Sequence, residues 1–178
     1  MRIALASDNA AVALKALLVE HVRALGHEAI DLGPKTTDSV DYPDYGYRLA
    51  DAIASGAADR GIALCGSGIG ISIAVNRNPA ARCALVSEPL SATLCREHND
   101  ANVIAIGARQ HTFDEAVAFI DRFIATPFSG EERHARRTAQ LADFERDGSL
   151  LPDPRAVGGG ISAPTVGESV DAFDPEAG

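Results

Sequence analysis

A cysteine followed by three alternating glycines is the feature of this sequence best suited to chemistry. The stretch LCGSGIGIS places Cys65 at the end of an apolar run, with Gly66, Gly68 and Gly70 behind it. Glycine opens backbone conformations closed to other residues and lets amide N–H groups approach an anion closely. A thiol beside such amides, near a helix that starts at about residues 69–72, is expected to favour its thiolate near neutral pH. The pattern predicts a base that removes a proton next to a carbonyl while the amides hold the enediolate oxygen.

That proton transfer interconverts aldoses and ketoses, and it needs neither a metal nor an organic cofactor, so we expect none. Two other interpretations of the stretch remain open. A strand-end cysteine is often packed as a small hydrophobe. The glycines also resemble part of a dinucleotide fingerprint, with Glu88 standing 20 residues after Gly68 where a ribose-binding acid would lie. A Walker-type phosphate loop is excluded because the stretch contains no lysine.

The elements that must position this stretch are short apolar runs alternating with helical patterns. Five runs have strand length: 2–6, 28–32, 61–65, 82–86 and 102–106. Such continuous runs are typical of strands buried on both faces of a parallel sheet. Helix signals lie between and after them: a periodic apolar face ending at Gly26, Pro43 and Pro89 as first-turn prolines, and capping-box spacing at Thr112 with Glu115 and at Ser129 with Glu132.

This order predicts a doubly wound, three-layer α/β/α domain with a five-stranded parallel sheet of Rossmann-like type, plus a C-terminal helix. In such sheets ligands bind at the carboxyl ends of the strands. The rule selects five places: Ser7 to Asn9, the loop before Asp41 and Tyr42, Cys65 to Gly70, Ser87 with Glu88, and Gly107 to Arg109.

The composition favours a single globular domain and argues against a nucleic-acid-binding or membrane protein. A chain of 178 residues with 46% apolar residues suits one core, and its net charge of −9 argues against broad nucleic-acid contact. No apolar run reaches bilayer length and no signal peptide is evident, so we expect a cytoplasmic protein with no membrane partner. Three cysteines without a CxxC element favour free thiols. We assign 1–148 to the domain and 149–178 to a flexible acidic tail rich in Pro and Gly.

Further candidates for chemistry lie in the second half of the chain. Arg133 and Arg137 are four residues apart, on one helix face, where two guanidinium groups can hold a phosphate or simply pair with nearby acids. Arg109 follows a buried strand directly. His98 lies between a helix and a strand, where it can move protons near neutrality. We assign the remaining histidines to surface or packing positions; they are His21, His27, His111 and His134. Cys83 and Cys95 are assigned to packing.

Six motifs in order along residues 1–147 resemble one family. They are SDN near the start, DYPDY at 41–45, CGSGIGISIAVNR at 65–77, SEP at 87–89, REHNDANVIAIGAR at 96–109 and RHARR at 133–137. This combination resembles the ribose-5-phosphate isomerase B family, which includes galactose-6-phosphate isomerase subunits and related sugar-phosphate isomerases. The resemblance implies cofactor-free isomerisation of a sugar phosphate through a cis-enediolate, at sites between the subunits of a homodimer. A tetramer built from two dimers stays open as an alternative.

The resemblance also implies roles for single residues. Cys65 matches the cysteine that transfers the proton, and Gly66, Gly68 and Gly70 match the anion hole. Ser67 stands where a hydroxyl assists at the substrate oxygens, and His98 matches a histidine that helps to open the furanose ring. The sugar hydroxyls or ring oxygen are assigned to Asp8, Tyr42 and Asn99, and the phosphate to Arg109, Arg133 and Arg137.

One position departs from the family pattern. Members usually have Asp-His after the first strand, with the histidine on the phosphate side, whereas this chain has Asp8 and Asn9. Asparagine donates a hydrogen bond but carries no positive charge. The expected substrate pair is ribose 5-phosphate and ribulose 5-phosphate, while a tetrulose 4-phosphate, allose 6-phosphate or galactose 6-phosphate remains an alternative, as does a silent subunit.

Overall fold

Five parallel strands form the centre of the domain. The computed structural model describes residues 1–148. The strands are β1 (Arg2–Ser7), β2 (Glu28–Asp31), β3 (Arg60–Cys65), β4 (Cys83–Leu85) and β5 (Val103–Gly107). Their spatial order is β2-β1-β3-β5-β4, and every neighbouring pair is parallel. The predicted sheet is confirmed, with each strand within about two residues of its apolar run.

Within residues 1–148, six helices connect and follow the strands. They are α1 (Val12–Ala24), α2 (Tyr42–Ala54), α3 (Ile69–Val75), α4 (Pro89–Glu97), α5 (Phe113–Ala125) and α6 (Glu132–Asp147), with a short 3₁₀ turn at Asn9–Ala11 before α1. Pro43 and Pro89 stand in the first turns of α2 and α4, as predicted. Thr112 and Glu115 form the predicted capping box, in which each side chain bonds the other residue's backbone N–H.

The sheet separates two apolar cores, which confirms the three-layer architecture. One face packs large side chains of α1, α4 and α5, including Leu18 and Phe119, against Ile62 and Leu64 of β3. The other face packs α2 and α3 against a layer made mostly of alanine, including Ala4, Ala6, Ala63 and Ala105, and Cys65 belongs to this face. Small side chains let α2 and α3 approach each other closely: a Cβ built on Gly46 would lie 2.7 Å from Cβ of Ala74.

The two edge strands are less buried than their sequence predicts. β1, β3 and β5 are buried almost throughout, whereas β2 and β4 have no fully buried residue. The crossover order places β2 and β4 at the edges, where each strand has one neighbour and incomplete helical cover. The apolar runs therefore locate the strands correctly but do not tell central strands from edge strands.

The predicted capping box at Ser129 is wrong. The residue before α6 is Glu131, and among the described residues no side chain makes a capping hydrogen bond at the start of this helix. Ser129 Oγ lies instead 2.7 Å from Nδ1 of His134 and accepts the N–H of Glu131 at 3.2 Å. The hydroxyl is used by a tertiary contact that capping-box spacing does not reveal.

Two further expectations concern membrane-spanning helices and the C-terminal tail. No helix within residues 1–148 is long and apolar enough to cross a membrane. The acidic tail assigned to 149–178 lies outside the described residues, and so the boundary at 148 stays a prediction.

The capping box predicts a stability effect. Thr112→Ala removes the hydroxyl that accepts the Glu115 N–H at 3.3 Å, and should lower the free energy of unfolding by about 1 kcal/mol. Urea denaturation measures this. Thr36→Ala is the matched control, because the Thr36 hydroxyl bonds only to Asp38 in an exposed loop. An unchanged stability in Thr112→Ala would contradict the role of the box.

Candidate active site

The strand order brings together the carboxyl ends of β1, β3 and β5, which the candidate site residues follow. β1 and β3 pair with Ser7 opposite Leu64, and β3 and β5 pair with Cys65 opposite Gly107. The residues that follow these positions are therefore neighbours at one edge of the sheet. The chain leaves β1 towards β2 on one side and returns to β3 on the other, and this reversal opens a crevice at the carboxyl ends. Cys65 lies beside that crevice.

Gly68 shapes the turn between Cys65 and α3. Its φ is +77°, in the left-handed region, and a Cβ there would lie 2.6 Å from Cδ1 of Leu85 and 3.0 Å from the Gly107 nitrogen. Only glycine fits this position. The turn directs the N–H of Gly68 at Cys65 Sγ, with 3.1 Å between nitrogen and sulfur. A backbone donor aimed at the sulfur suits a thiol that works as an anion.

The other two glycines make room for side chains of the site. A Cβ on Gly66 would lie 3.2 Å from Nη1 of Arg109, and one on Gly70 would lie 2.8 Å from the Tyr42 ring. Arg109 and Tyr42 therefore rest directly on the backbone of the glycine stretch. The glycines allow a guanidinium and a phenol to approach the amides that follow the cysteine.

A pocket of about 540 Å³ opens over this stretch. Predicted site residues form most of its wall: Asp8, Tyr42, Cys65, Gly66, Ser67, Gly70 and Arg109. Two further lining residues, Ile69 and Gln110, were not predicted. Gln110 directly follows Arg109 after β5, so the strand-end rule extended by one residue would have found it. Cys65 is only 4% exposed, so its sulfur is largely buried beside the pocket that it helps to line.

The polar side chains at the pocket are held by local hydrogen bonds. Asp8 accepts the N–H of Ala10 at 2.9 Å, and Ser67 accepts the N–H of Ile69 at 3.3 Å. Asn9, which departs from the family pattern, accepts the N–H of Val40 at 3.4 Å. The Asn9 side chain thereby contacts the loop before α2, and it is not among the residues that line the pocket.

Four predicted residues lie elsewhere in the same chain. None of His98, Asn99, Arg133 and Arg137 lines the pocket at Cys65 among the described residues. His98 instead packs against His134 of α6, with 4.3 Å between ring centroids. Arg133 and Arg137 stand one turn apart on α6 and act electrostatically on His134. One chain thus presents two clusters: the Cys65 pocket, and a histidine–arginine cluster of His98, Asn99, His134, Arg133 and Arg137.

The other two cysteines have a different environment. All three cysteines are free thiols. Burial raises the pKa of Cys83 to about 12 and that of Cys95 to about 11. Such thiols carry almost no thiolate at neutral pH, in agreement with their assignment to packing.

Comparison with known proteins places this arrangement in a family. The family model for ribose and galactose isomerases matches residues 3–141. The chain belongs to the ribose/galactose isomerase family. The match covers β1 through most of α6, and so includes both the Cys65 pocket and the histidine–arginine cluster.

Individual members of the family are similar over nearly their full length. The ribose-5-phosphate isomerase B of Mycobacterium tuberculosis is 43% identical over 157 residues, which are 88% of this chain and 97% of the relative. That of Escherichia coli is 38% identical over 82% of this chain and 97% of its own length.

Solved structures of the family have the same fold. The Clostridium thermocellum ribose-5-phosphate isomerase B superposes with a TM-score of 0.81, at 40% identity, over 84% of this chain and 100% of its own. The Mycoplasma genitalium enzyme, solved with bound ribulose 5-phosphate, gives a TM-score of 0.78 at 33% identity, over 82% of this chain and 97% of its own.

The three thiols should differ in reactivity. Iodoacetamide near neutral pH should alkylate Cys65 first, because it reacts with thiolates and the raised pKa values of Cys83 and Cys95 suppress theirs. Peptide mass spectrometry after a short exposure locates the adduct. Cys65→Ser should remove the fast-reacting site. Equal labelling of all three cysteines in the folded protein would contradict the assignment.

Proposed function

We propose that the protein interconverts D-ribose 5-phosphate and D-ribulose 5-phosphate through a cis-enediolate, with Cys65 as the base. The observation that carries this proposal is the N–H of Gly68 directed at Cys65 Sγ, 3.1 Å away, in a pocket that Asp8, Tyr42 and Arg109 also line. Relatives that match nearly their full length are named ribose-5-phosphate isomerase B. A structural neighbour was solved with bound ribulose 5-phosphate, which supports the same substrate for this chain.

The reaction needs one proton moved between adjacent carbons. In the open-chain aldose, the thiolate of Cys65 takes the proton from C2, and the electron pair of that bond forms the C1–C2 double bond of the enediolate. The carbonyl oxygen on C1 gains negative charge. A proton then moves from the oxygen on C2 to that on C1, and Cys65 returns its proton to C1. The product is the 2-ketose, and the thiolate is regenerated.

The charge on the enediolate oxygen needs donors that are in place before the reaction. Two amides of the turn are already committed, since Gly68 donates to Cys65 and Ile69 donates to Ser67. The amides of Gly66, Ser67 and Gly70 are therefore our candidates for the oxygen. Preorganised donors of this kind are each worth roughly 10²–10³ in kcat. Asp8 and Tyr42, which also line the pocket, are our candidates for the sugar hydroxyls, and Arg109 supplies positive charge for the phosphate.

A second copy of the chain completes the site in our proposal. His98, Asn99, Arg133 and Arg137 have the chemistry for ring opening and phosphate binding, yet one chain keeps them away from its own Cys65 pocket. Ile69 and Ile73, one turn apart on α3 beside the pocket, are 50% and 56% exposed, and exposed apolar residues of this kind suit an interface. A two-fold dimer would give two equal sites, each with Cys65 from one copy and His98 from the other.

The choice of substrate depends on the residues that bind its phosphate group. Asn9 supplies no positive charge there, so Arg109 and the two α6 arginines must hold the dianion. The ring-opening histidine favours a substrate that closes into a furanose, as ribose 5-phosphate does. A base that requires a reduced thiol also favours a cytoplasmic enzyme.

Proton NMR in D₂O tests the proposed reaction. The purified chain is incubated separately with ribose 5-phosphate, allose 6-phosphate and erythrose 4-phosphate. We expect conversion of ribose 5-phosphate to be fastest, with deuterium at C1 of the ketose. Cys65→Ser should lower the rate by at least about a hundredfold, because a hydroxyl is a far weaker base. Cys83→Ala is the matched control and should retain the rate.

Three outcomes would contradict parts of the proposal. Faster conversion of another sugar phosphate would contradict ribose 5-phosphate as the preferred substrate but would leave the proposed mechanism in place. Retained activity in Cys65→Ser would contradict the assignment of the Cys65 thiol as the base. Absence of conversion with all three sugars would contradict the isomerase itself.

Complementation between two inactive variants tests the shared site. Cys65→Ser and His98→Asn, co-expressed with different tags, should give mixed dimers with one intact site of two. Random pairing should restore about a quarter of the wild-type activity, since half of the dimers are mixed. If each site uses residues of one chain only, the mixture will show no more than the sum of its two variants.

A further inference from the structure

A buried histidine lies in the histidine–arginine cluster, and the reaction scheme above does not use it. His134, in the first turn of α6, is 3% exposed. It is one of the few polar side chains buried among the described residues. Because the His134 ring is buried next to His98, it can restrict the orientation of the His98 imidazole.

The segment before α6 is attached to the end of α4. The N–H of Ser129 donates to the carbonyl of Glu97 at 3.1 Å, and Nε of Arg96 donates to the carbonyl of Thr126 at 3.4 Å. These two bonds join the linker between α5 and α6 to the turn of α4 that carries His98. These two bonds, one from the backbone and one from the Arg96 side chain, hold the start of α6 close to His98.

Ser129 then sets the orientation of the His134 ring. Its Oγ lies 2.7 Å from Nδ1 of His134 and also accepts the N–H of Glu131. In the neutral tautomer with its proton on Nε2, His134 accepts the hydroxyl proton of Ser129. The ring so held packs on His98, with centroids 4.3 Å apart and planes inclined by 34°. Such contact limits the rotation of the His98 imidazole.

Burial and the surrounding charges disfavour the protonated form of His134. Burial, His98, Arg133 and Arg137 lower the pKa of His134, and Glu131 opposes them only in part. An uncharged ring can pack against His98 without repelling it when His98 is protonated.

We infer that His134 is a positioning residue that holds the His98 imidazole in the orientation required to open the furanose ring. This inference rests on the proposed function. In ring opening the bond between C1 and the ring oxygen breaks, O4 gains a proton and the C1 hydroxyl loses one, which leaves the aldehyde. A donor rotated away from O4 cannot deliver its proton, whereas transfer at Cys65 does not depend on it.

A reaction that skips ring opening separates the two steps. Ribulose 5-phosphate is acyclic, so exchange of its C1 proton with D₂O needs Cys65 but not His98. We expect His134→Ala to lower conversion of ribose 5-phosphate by roughly ten- to a hundredfold through kcat, since misplaced catalytic groups cost about that much. C1 exchange on ribulose 5-phosphate should stay within about twofold of wild type, and both are measured by proton NMR.

Two variants separate positioning from simple packing. His134→Phe keeps a flat ring against His98 and should recover most of the conversion, while Ser129→Ala should show a partial loss. His21→Ala is the matched control, since His21 of α1 is another histidine held by a side-chain contact, with Nε2 2.7 Å from Oδ1 of Asp121 on α5. Equal loss of conversion and exchange in His134→Ala, or unchanged conversion, would overturn the inference.

A measurement without substrate keeps the inference separate from the proposed function. The Cε1–H resonance of His98 should carry a ring-current shift in the wild type and in His134→Phe, and should lose it in His134→Ala. An identical His98 resonance in wild type and His134→Ala would overturn the inference even for an active enzyme. Failure of the wild type to convert or exchange any sugar phosphate would instead overturn the proposed function.

Discussion

The turn between β3 and α3 has room for only a hydrogen at Gly68, and the arrangement around Cys65 depends on this close packing. A Cβ there would overlap Leu85 and press on the backbone of Gly107. The resulting left-handed backbone points an amide at the sulfur and starts α3 one residue later. The same turn lets Arg109 and Tyr42 lie against the neighbouring glycines. A thiol, its donor and two polar side chains are thus fixed by one tightly packed loop.

The alanine-rich layer beneath α2 and α3 extends this constraint into the core. Small side chains on β1, β3 and β5 allow both helices to lie near the sheet, and α2 and α3 meet at Gly46 and Ala74. Tyr42 stands at the start of α2 and Ile69 at the start of α3. The two helix starts that border the pocket are therefore positioned by packing below it. Larger side chains in this layer would move both pocket walls, because a close-packed core yields little.

The division of the predicted site into two clusters has a simple origin. β1, β3 and β5 are adjacent, so Asp8, Cys65 and Arg109 meet at one edge of the sheet. His98 ends α4 and the two arginines belong to α6, and these elements pack together through the bond between Ser129 and Glu97. In our proposal, each cluster supplies part of the chemistry that isomerisation of a cyclic sugar phosphate requires. This division is what makes a two-copy site the natural arrangement for the proposed reaction.

The sequence by itself determined the strands, most helix starts and the glycine loop after Cys65. These depend on local rules: continuous apolar runs, first-turn prolines, the Thr112 capping box and glycines behind a cysteine. Tertiary structure decided what depends on distant partners. It placed β2 and β4 at the edges, gave the Ser129 hydroxyl to His134 in place of a helix cap, and added Gln110 to the pocket wall. It also kept His98 and the α6 arginines apart from Cys65 in one chain. Spacing along a sequence specifies backbone conformation, whereas the partner of a buried hydroxyl or imidazole is set only when separate elements pack together.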